Sequence, residues 1–435
     1  MTPRTPHQRC TFIPPWLADR VDGPGAAARD EELRARRGAT ARPAQAVAPG
    51  GPAWTVHDAG SSTTLPGSAV RAAGEPATGD VAVDEAASGI EATLAMYADA
   101  LGRSSYDGAG APVSLTVHYG QGYDNAFWDG TQLVFGDGDG RVFERFTKPV
   151  DVLAHEFTHA VIESTAGLVY EGQSGALNES VADVFAACLK QRLLGQEAGE
   201  GDWLIGAGIF KPSVRARALR DMAAPGTAYD DPELGADPQV GHMDDYIETT
   251  EDNGGVHLNS GIPNRAFQLA AVAVGGASIE GAGRIWYDAL VGGGVPASAD
   301  FATFAAATVA AAGEHADAVR EAWAQVGVGP GSRAQVPEPP AQQPTGRLRV
   351  ERSGGFAGRT ETAELDIDEV DDDELRGLAR DALAVASRSE LPKPDMFVYT
   401  FTLEGHDPVR VPEQLLSASQ SELARRILQS GRFDA

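Results

Sequence analysis

The chain has 435 residues, 42% of them hydrophobic, with 51 Gly, 27 Pro and a formal net charge of -27. That length exceeds one ordinary core and implies two or three folded units joined by loop and linker. So acidic a chain repels phosphate, which excludes a nucleic-acid binder, and no stretch reaches the roughly 20 apolar residues of a membrane span.

Residues 1–52 form a first segment too small to own a core. It carries Cys10-Thr11-Phe12-Ile13-Pro14-Pro15-Trp16-Leu17, then a short charged helix candidate at 30–37, then Ala/Pro/Gly-rich chain. No charged, then apolar, then small-residue leader is visible, so a cytoplasmic location is expected, with export by a non-classical route left open. The two cysteines, Cys10 and Cys188, make no disulfide framework; Cys188 lies in an apolar helical run and reads as a buried thiol.

An ordered region follows from about residue 53 to 328. Val113-Ser114-Leu115-Thr116-Val117-His118-Tyr119 alternates as a strand. Gln132-Leu133-Val134-Phe135, the turn Gly136-Asp137-Gly138-Asp139-Gly140 and Val142-Phe143 read as a hairpin. The turn lacks the later glutamate of a calcium-binding EF-hand loop. Helices are expected at 150–165, 175–194, 259–274 and 302–312. Residues 329–346 have a Pro/Gly/Gln linker composition. Residues 347–435 read as a small α+β domain, with strands at 348–352 and 397–403 and helices at 371–386 and 420–428.

His155 and His159 stand four apart on the first of those helices, which puts both rings on one face, one turn apart. Glu156 beside them can reach a water on a shared ion without being a ligand. Glu179 lies on the next helix, with Asp183 one turn further on. Two imidazoles and a carboxylate suit zinc better than calcium or magnesium and leave one position open for chemistry. Asp183 and Asn178 stand behind these ligands, where a carboxylate can accept the outer N–H of a liganding histidine.

At these residues the chain resembles the thermolysin-like metallopeptidases. The resemblance covers about 65–328 and also rests on Asn125-Ala126-Phe127-Trp128, Gly167-Leu168-Val169-Tyr170-Glu171, Gly175-Ala176-Leu177-Asn178-Glu179 and Asp252-Asn253-Gly254-Gly255-Val256-His257. It implies an α+β fold of two lobes: a β-rich N-terminal lobe with the zinc helix (53–165) and a helical C-terminal lobe (166–328). It implies His155, His159 and Glu179 as Zn2+ ligands and Glu156 as general base. Tyr170 and His257 would donate to the oxyanion, and Asp252 would orient His257. Asn125, the Ala126 carbonyl and Arg220 would hold the backbone of a peptide or protein substrate. Phe143, Phe146, Val152, Ile205 and Leu219 would line a pocket for a large apolar residue after the cut.

The family's paired Ca2+ site is only partly matched. Asp151 and Asp202 correspond to two of its acids, but Lys190, Leu204 and Ala207 fill other positions. The expectation is that Lys190 pairs with Asp151 and takes over part of the ionic role.

Both ends resemble regulators. Phe12-Ile13-Pro14-Pro15-Trp16-Leu17 is similar to the short propeptide of protealysin-like members, implying that residues 1–52 dock on the catalytic domain and are cut away; Cys10 would lie near the metal. Leu348-Arg349-Val350-Glu351-Arg352-Ser353-Gly354-Gly355-Phe356-Ala357-Gly358 and Asp395-Met396-Phe397-Val398-Tyr399-Thr400-Phe401 resemble emfourin, the inhibitor of those enzymes. Residues 347–435 would then inhibit in cis, the Ser353-to-Gly358 loop entering the cleft. Two other readings stay open: a non-catalytic binding protein of the same fold whose tail domain binds another partner, and a metal-dependent hydrolase of non-peptide substrates.

Overall fold

The computed structural model describes residues 11–23, 53–329, 347–354, 359–366, 397–403, 408–413, 416 and 418–430. The chain divides into two units, Met1–Ala334 and Gln335–Ala435, each with its own apolar core.

The first unit begins with a short helix α1 (Pro15–Asp22), whose first residue is a proline. Proline is favoured there because its fixed φ suits a helix and its missing N–H would have had no partner. Strands β1 (Trp54–Asp58), β2 (Ser68–Ala72), β3 (Val113–Val117), β4 (Ala126–Trp128) and β5 (Leu133–Phe135) form one sheet. Their order is β2-β1-β3-β5-β4; β1 and β5 run parallel to β3, and β2 and β4 are antiparallel edges. The alternation read at 113–119 forms β3, with Val113, Leu115 and Val117 buried. The expected hairpin does not form. β5 pairs backwards with β4, and Val142-Phe143 makes only an isolated bridge from Phe143 to Phe210. The cause is Asp139, whose Oδ1 accepts the backbone N–H groups of Arg141, Val142 and Phe143 at 2.8 to 2.9 Å and curls the chain.

Between β2 and β3 lies α2 (Val81–Leu101), which the sequence reading missed. Its ends were nevertheless marked. Asp80 caps the N–H groups of Ala82 and Val83, and Gly102 closes the other end at φ 67°. Two long helices follow, α3 (Val150–Ser164) and α4 (Gly172–Leu194), packed against each other along their lengths. Every residue of α3 from Asp151 to Ile162 is buried, so this helix has no solvent face. Gly89 of α2 admits Leu153 of α3 so closely that an added Cβ would meet its Cδ1 at 3.0 Å. Residues 195–251 are mostly loop, with two small antiparallel ribbons that pair Leu204–Ile205 with Arg220–Asp221 and Asp230–Asp231 with Gly235–Ala236. The helices α5 (Asp252–Asn259), α6 (Gly261–Val274), α7 (Ala282–Val291), α8 (Phe301–Ala311) and α9 (Ala316–Gln325) follow.

In the second unit, β6 (Arg347–Gly354), β7 (Arg359–Asp366), β8 (Phe397–Leu403) and β9 (Val409–Pro412) form an antiparallel sheet ordered β7-β6-β8-β9. Helix α10 (Ala418–Ser430) contributes Leu423, Ala424 and Ile427 to its core. The helices expected at 30–37 and 371–386, Cys10, and most of the loop from Ser353 to Gly358 lie outside the described residues.

Candidate metal centre and cleft

Helix α3 is buried all round, so its polar side chains must find partners inside the protein, and its two histidines find them on α4. His155 Nδ1 lies 2.8 Å from Asp183 Oδ1, and His159 Nδ1 lies 2.8 Å from Asn178 Oδ1. Both partners are acceptors, so each imidazole carries its proton on Nδ1 and leaves an Nε2 lone pair inward. Those two Nε2 atoms face each other at 2.9 Å. Glu179 Oε2 lies 3.4 Å from one and Glu179 Oε1 3.6 Å from the other. Two lone pairs and a carboxylate converging in a buried space repel unless a cation sits among them. Among the described residues, these three side chains are the group whose ligand atoms all lie within 4.8 Å of one another. The donor set, two nitrogens and one oxygen, fits zinc.

Burial opposes charging His155, but Asp183 and Glu179 raise it to about 9, so the carboxylates favour a cation at this cluster, whether proton or metal ion. Burial works against ionising Glu179, but His257 and His155 hold its carboxyl well below the usual range. Burial likewise opposes Asp183, which Arg220 and His155 nevertheless hold at about 2. His159 is pushed down to about 4 by burial and by His155. Glu156, beside the cluster, is fully buried, and neither oxygen has a hydrogen bond of good geometry. Burial pushes its carboxyl up to about 7. A proton-hungry carboxyl next to a metal position can take a proton from a bound water.

His257 comes from α5, whose entry is unusual. Asp252, Asn253, Gly254 and Gly255 all have φ between 51° and 82°. A left-handed conformation costs a non-glycine residue roughly 1–2 kcal/mol. Here it turns Asp252 back on its own helix, so that Oδ1 lies 2.6 Å from His257 Nδ1 and Oδ2 accepts the His257 N–H at 2.8 Å. Burial resists charging His257, but Asp252 and Glu179 raise it to about 9. Its Nε2 is 3.3 Å from the Tyr170 hydroxyl, which donates to Glu179 Oε1 at 2.5 Å. Gly175 lets Tyr170 and Val256 approach α4; a Cβ there would meet Val256 Cγ1 at 2.4 Å.

The cleft beside this cluster holds the chain's own residues 11–13. Thr11 O accepts from His257 Nε2 at 2.9 Å, and Phe12 N donates to Ala126 O at 3.1 Å. Phe12 O accepts from Arg220 Nη1 at 3.3 Å, and Ile13 N donates to Asn125 Oδ1 at 2.9 Å. The Phe12 ring is fully buried, edge-on to His155 at 5.3 Å, with the Arg220 guanidinium 4.9 Å from its centroid. Burying Phe12, Ile13 and Leu17 contributes on the order of 1.5–3 kcal/mol each, enough to dock so short a segment. Arg20 adds a bond to Leu234 O at 2.8 Å, and Trp16 packs edge-on to His257 at 6.2 Å.

Every residue expected at the site is buried except Asp252, which is partly exposed. Phe143, Phe146, Val152, Ile205 and Leu219 belong to one core with Phe12. Two residues do more than the sequence suggested. Arg220 reaches Phe12, but its Nε and Nη2 are also locked on Asp183 at 2.7 Å each. Gly206, unforeseen, forms part of the pocket: a Cβ on it would touch the Phe12 ring at 3.3 Å. One expectation is corrected. Lys190 bonds Asp202 Oδ1 at 2.5 Å and the Leu204 carbonyl, not Asp151, which feels its charge only at longer range. Asp151 Oδ2 instead accepts the Gly206 N–H at 3.0 Å.

Comparison with known proteins finds two adjoining matches, to "Thermolysin metallopeptidase, catalytic domain" at residues 55–163 and to "Thermolysin metallopeptidase, alpha-helical domain" at 166–328. A third, "Emfourin", matches 350–428. An extracellular metalloprotease of Pectobacterium carotovorum subsp. carotovorum is 48% identical over 337 residues, 73% of this chain and 96% of that protein. Protease PrtS of Photorhabdus sp. (strain Az29) is 46% identical over 63% of this chain and 76% of its own length. The solved precursor of protealysin from Serratia proteamaculans is 48% identical, with TM-score 0.67, covering 73% of this chain and 99% of that one. The expected cytoplasmic location is overturned by these matches, since so similar a relative is extracellular. The want of a recognisable apolar leader says nothing of destination. No helix among the described residues is long and apolar enough to cross a membrane.

Proposed function

This chain belongs to the thermolysin metallopeptidases, as a protealysin-like zinc endopeptidase with an inhibitor-like emfourin domain at its C-terminus, and from that premise we propose the roles of its residues. His155, His159 and Glu179 hold the zinc, with Asp183 and Asn178 fixing the two rings. The observation that carries this is the 2.9 Å approach of two inward-facing Nε2 atoms beside a buried carboxylate. When bound, the metal lowers the pKa of a water and polarises the peptide carbonyl. Glu156 takes the water's proton and passes it to the leaving nitrogen. His257, held by Asp252, and Tyr170 donate to the oxygen that gains charge. Asn125, the Ala126 carbonyl and Arg220 hold the substrate backbone, and the apolar pocket ending at Gly206 takes a large apolar side chain after the cut.

The domain boundaries belong to the same reading: a propeptide at 1–52, the two peptidase lobes at 53–165 and 166–328, a linker at 329–346 and the tail domain at 347–435. The docking of residues 11–22 across the cleft supports the propeptide reading. The tail domain acts on its own peptidase in cis. Lys190, bonded to Asp202 and Leu204 O, stands in for a calcium ion, so no double calcium site is needed.

Casein digestion by the chain freed of both ends tests the peptidase roles. Glu156→Ala should abolish it while leaving the zinc content unchanged. Undiminished digestion by that variant would remove Glu156 from the mechanism.

A further inference from the structure

We propose that the peptide bond between Thr11 and Phe12 is itself a cleavage site of this chain, cut in cis by its own metal centre. The inference rests on the reading of the cleft given above and adds the position of one scissile bond.

In hydrolysis, the carbonyl that faces the oxyanion donors belongs to the residue before the cut. Here it is Thr11 O, 2.9 Å from His257 Nε2, with the Tyr170 hydroxyl 3.3 Å from that same nitrogen. The next amide, Phe12 N, donates to Ala126 O at 3.1 Å, and the amide after that, Ile13 N, donates to Asn125 Oδ1 at 2.9 Å. Phe12 O accepts from Arg220, and the Phe12 ring fills the pocket assigned to the residue after the cut. Two of these bonds are donated by the segment and two accepted by it, and together they fix one chain polarity. A segment threaded in the opposite sense would not put one carbonyl on His257 and the following amide on Ala126. Residues 11–13 therefore lie in the polarity of a substrate.

The balance is that of simple hydrolysis. Glu156 takes a proton from water, the hydroxyl adds to the Thr11 carbonyl carbon, the bond to the Phe12 nitrogen breaks, and the proton moves to that nitrogen. The products are residues 1–11, ending in a Thr11 carboxylate, and a chain beginning with the Phe12 amine. The buried Phe12, Ile13 and Leu17 keep the cut segment docked, so this cleavage removes the His257 tether without opening the cleft.

The test is the intact mass of the purified full chain with zinc. The expected result is loss of residues 1–11 at a rate independent of protein concentration, while Glu156→Gln keeps full mass. Phe12→Ala should slow the cut roughly tenfold or more, since a lost apolar pocket contact is worth that much. A readout free of activity is hydrogen exchange of the zinc-free chain: the Phe12 and Ile13 amides should be protected, and Asn125→Ala should expose Ile13. A chain that digests casein after shedding residues 1–52 with this bond intact would overturn the cleavage and leave the peptidase reading standing. A zinc-loaded chain freed of both ends yet inactive on casein would overturn both.

Discussion

Arg220 and Asp183 form a two-pronged ion pair, 3% and 0% exposed, directly behind His155: both arms are 2.7 Å long, and the same Asp183 carboxylate meets His155 Nδ1 at 2.8 Å. Asn264 Nδ2 adds a further bond at 2.9 Å. One carboxylate thus joins the substrate-side arginine to a metal-side histidine. Asp183→Ala leaves a buried guanidinium without its counter-charge, which costs about 3–5 kcal/mol. It also frees the His155 ring, and zinc affinity should fall about 10–100-fold. Urea denaturation and competition with a zinc chelator check the two effects separately.

A second prediction concerns calcium. The Lys190 ammonium, 13% exposed, occupies the neighbourhood of Asp151 and Asp202. A chelator selective for calcium should leave the melting temperature unchanged. Lys190→Met should lower stability by about 1–3 kcal/mol, the worth of hydrogen bonds from a charged group. A large loss on calcium removal alone would contradict the assignment.

Asp124 supplies a pH dependence. It is 6% exposed, neither oxygen has a hydrogen bond of good geometry, and burial, with Asp139 and Asp22 adding to it, pushes the carboxyl up to about 8. The folded chain then keeps a proton that the unfolded chain releases near 3.8. This group's share of stability is full below that value and is lost as pH rises through about 8. Asp124→Asn should therefore raise the melting temperature at pH 8 and above, by an amount that shrinks toward pH 4. Calorimetry across that range reads the sign.

Gly206 sets the depth of the pocket. At φ 70°, with its would-be Cβ 3.3 Å from the Phe12 ring, alanine there is both strained and obstructive. Gly206→Ala should lower kcat/KM for peptides with Phe after the cut about 10-fold relative to those with Val. Equal losses for both would place the effect in folding rather than the pocket.

Removing residues 347–435 should raise casein activity, and adding the isolated domain back should suppress it. A tether of the linker's length gives roughly millimolar effective concentration, so even weak inhibition would dominate within one chain. No gain on removal would refute the cis role.

What the sequence made legible was what local spacing encodes. The four-residue step from His155 to His159 and the Asn178, Glu179 and Asp183 face of α4 translate directly into geometry, because helical period fixes which side chains meet. Less legible were features set by backbone turns and distant partners. Asp139 curled a run that had the pattern of a hairpin. α2 escaped notice although Asp80 and Gly102 marked its ends and Ile90, Leu94, Tyr97 and Leu101 recur at helical spacing on its buried face. Lys190 meets Asp202 and the Leu204 carbonyl, and Asp151 meets the Gly206 N–H 55 positions away, pairings set by the tertiary fold that no local spacing encodes.

The most direct measurement is zinc content in purified, folded protein. One zinc per chain is expected in the wild type, and close to none in His155→Ala, His159→Ala and Glu179→Ala variants whose folding is verified by circular dichroism. Full zinc occupancy retained in all three folded variants would contradict the account.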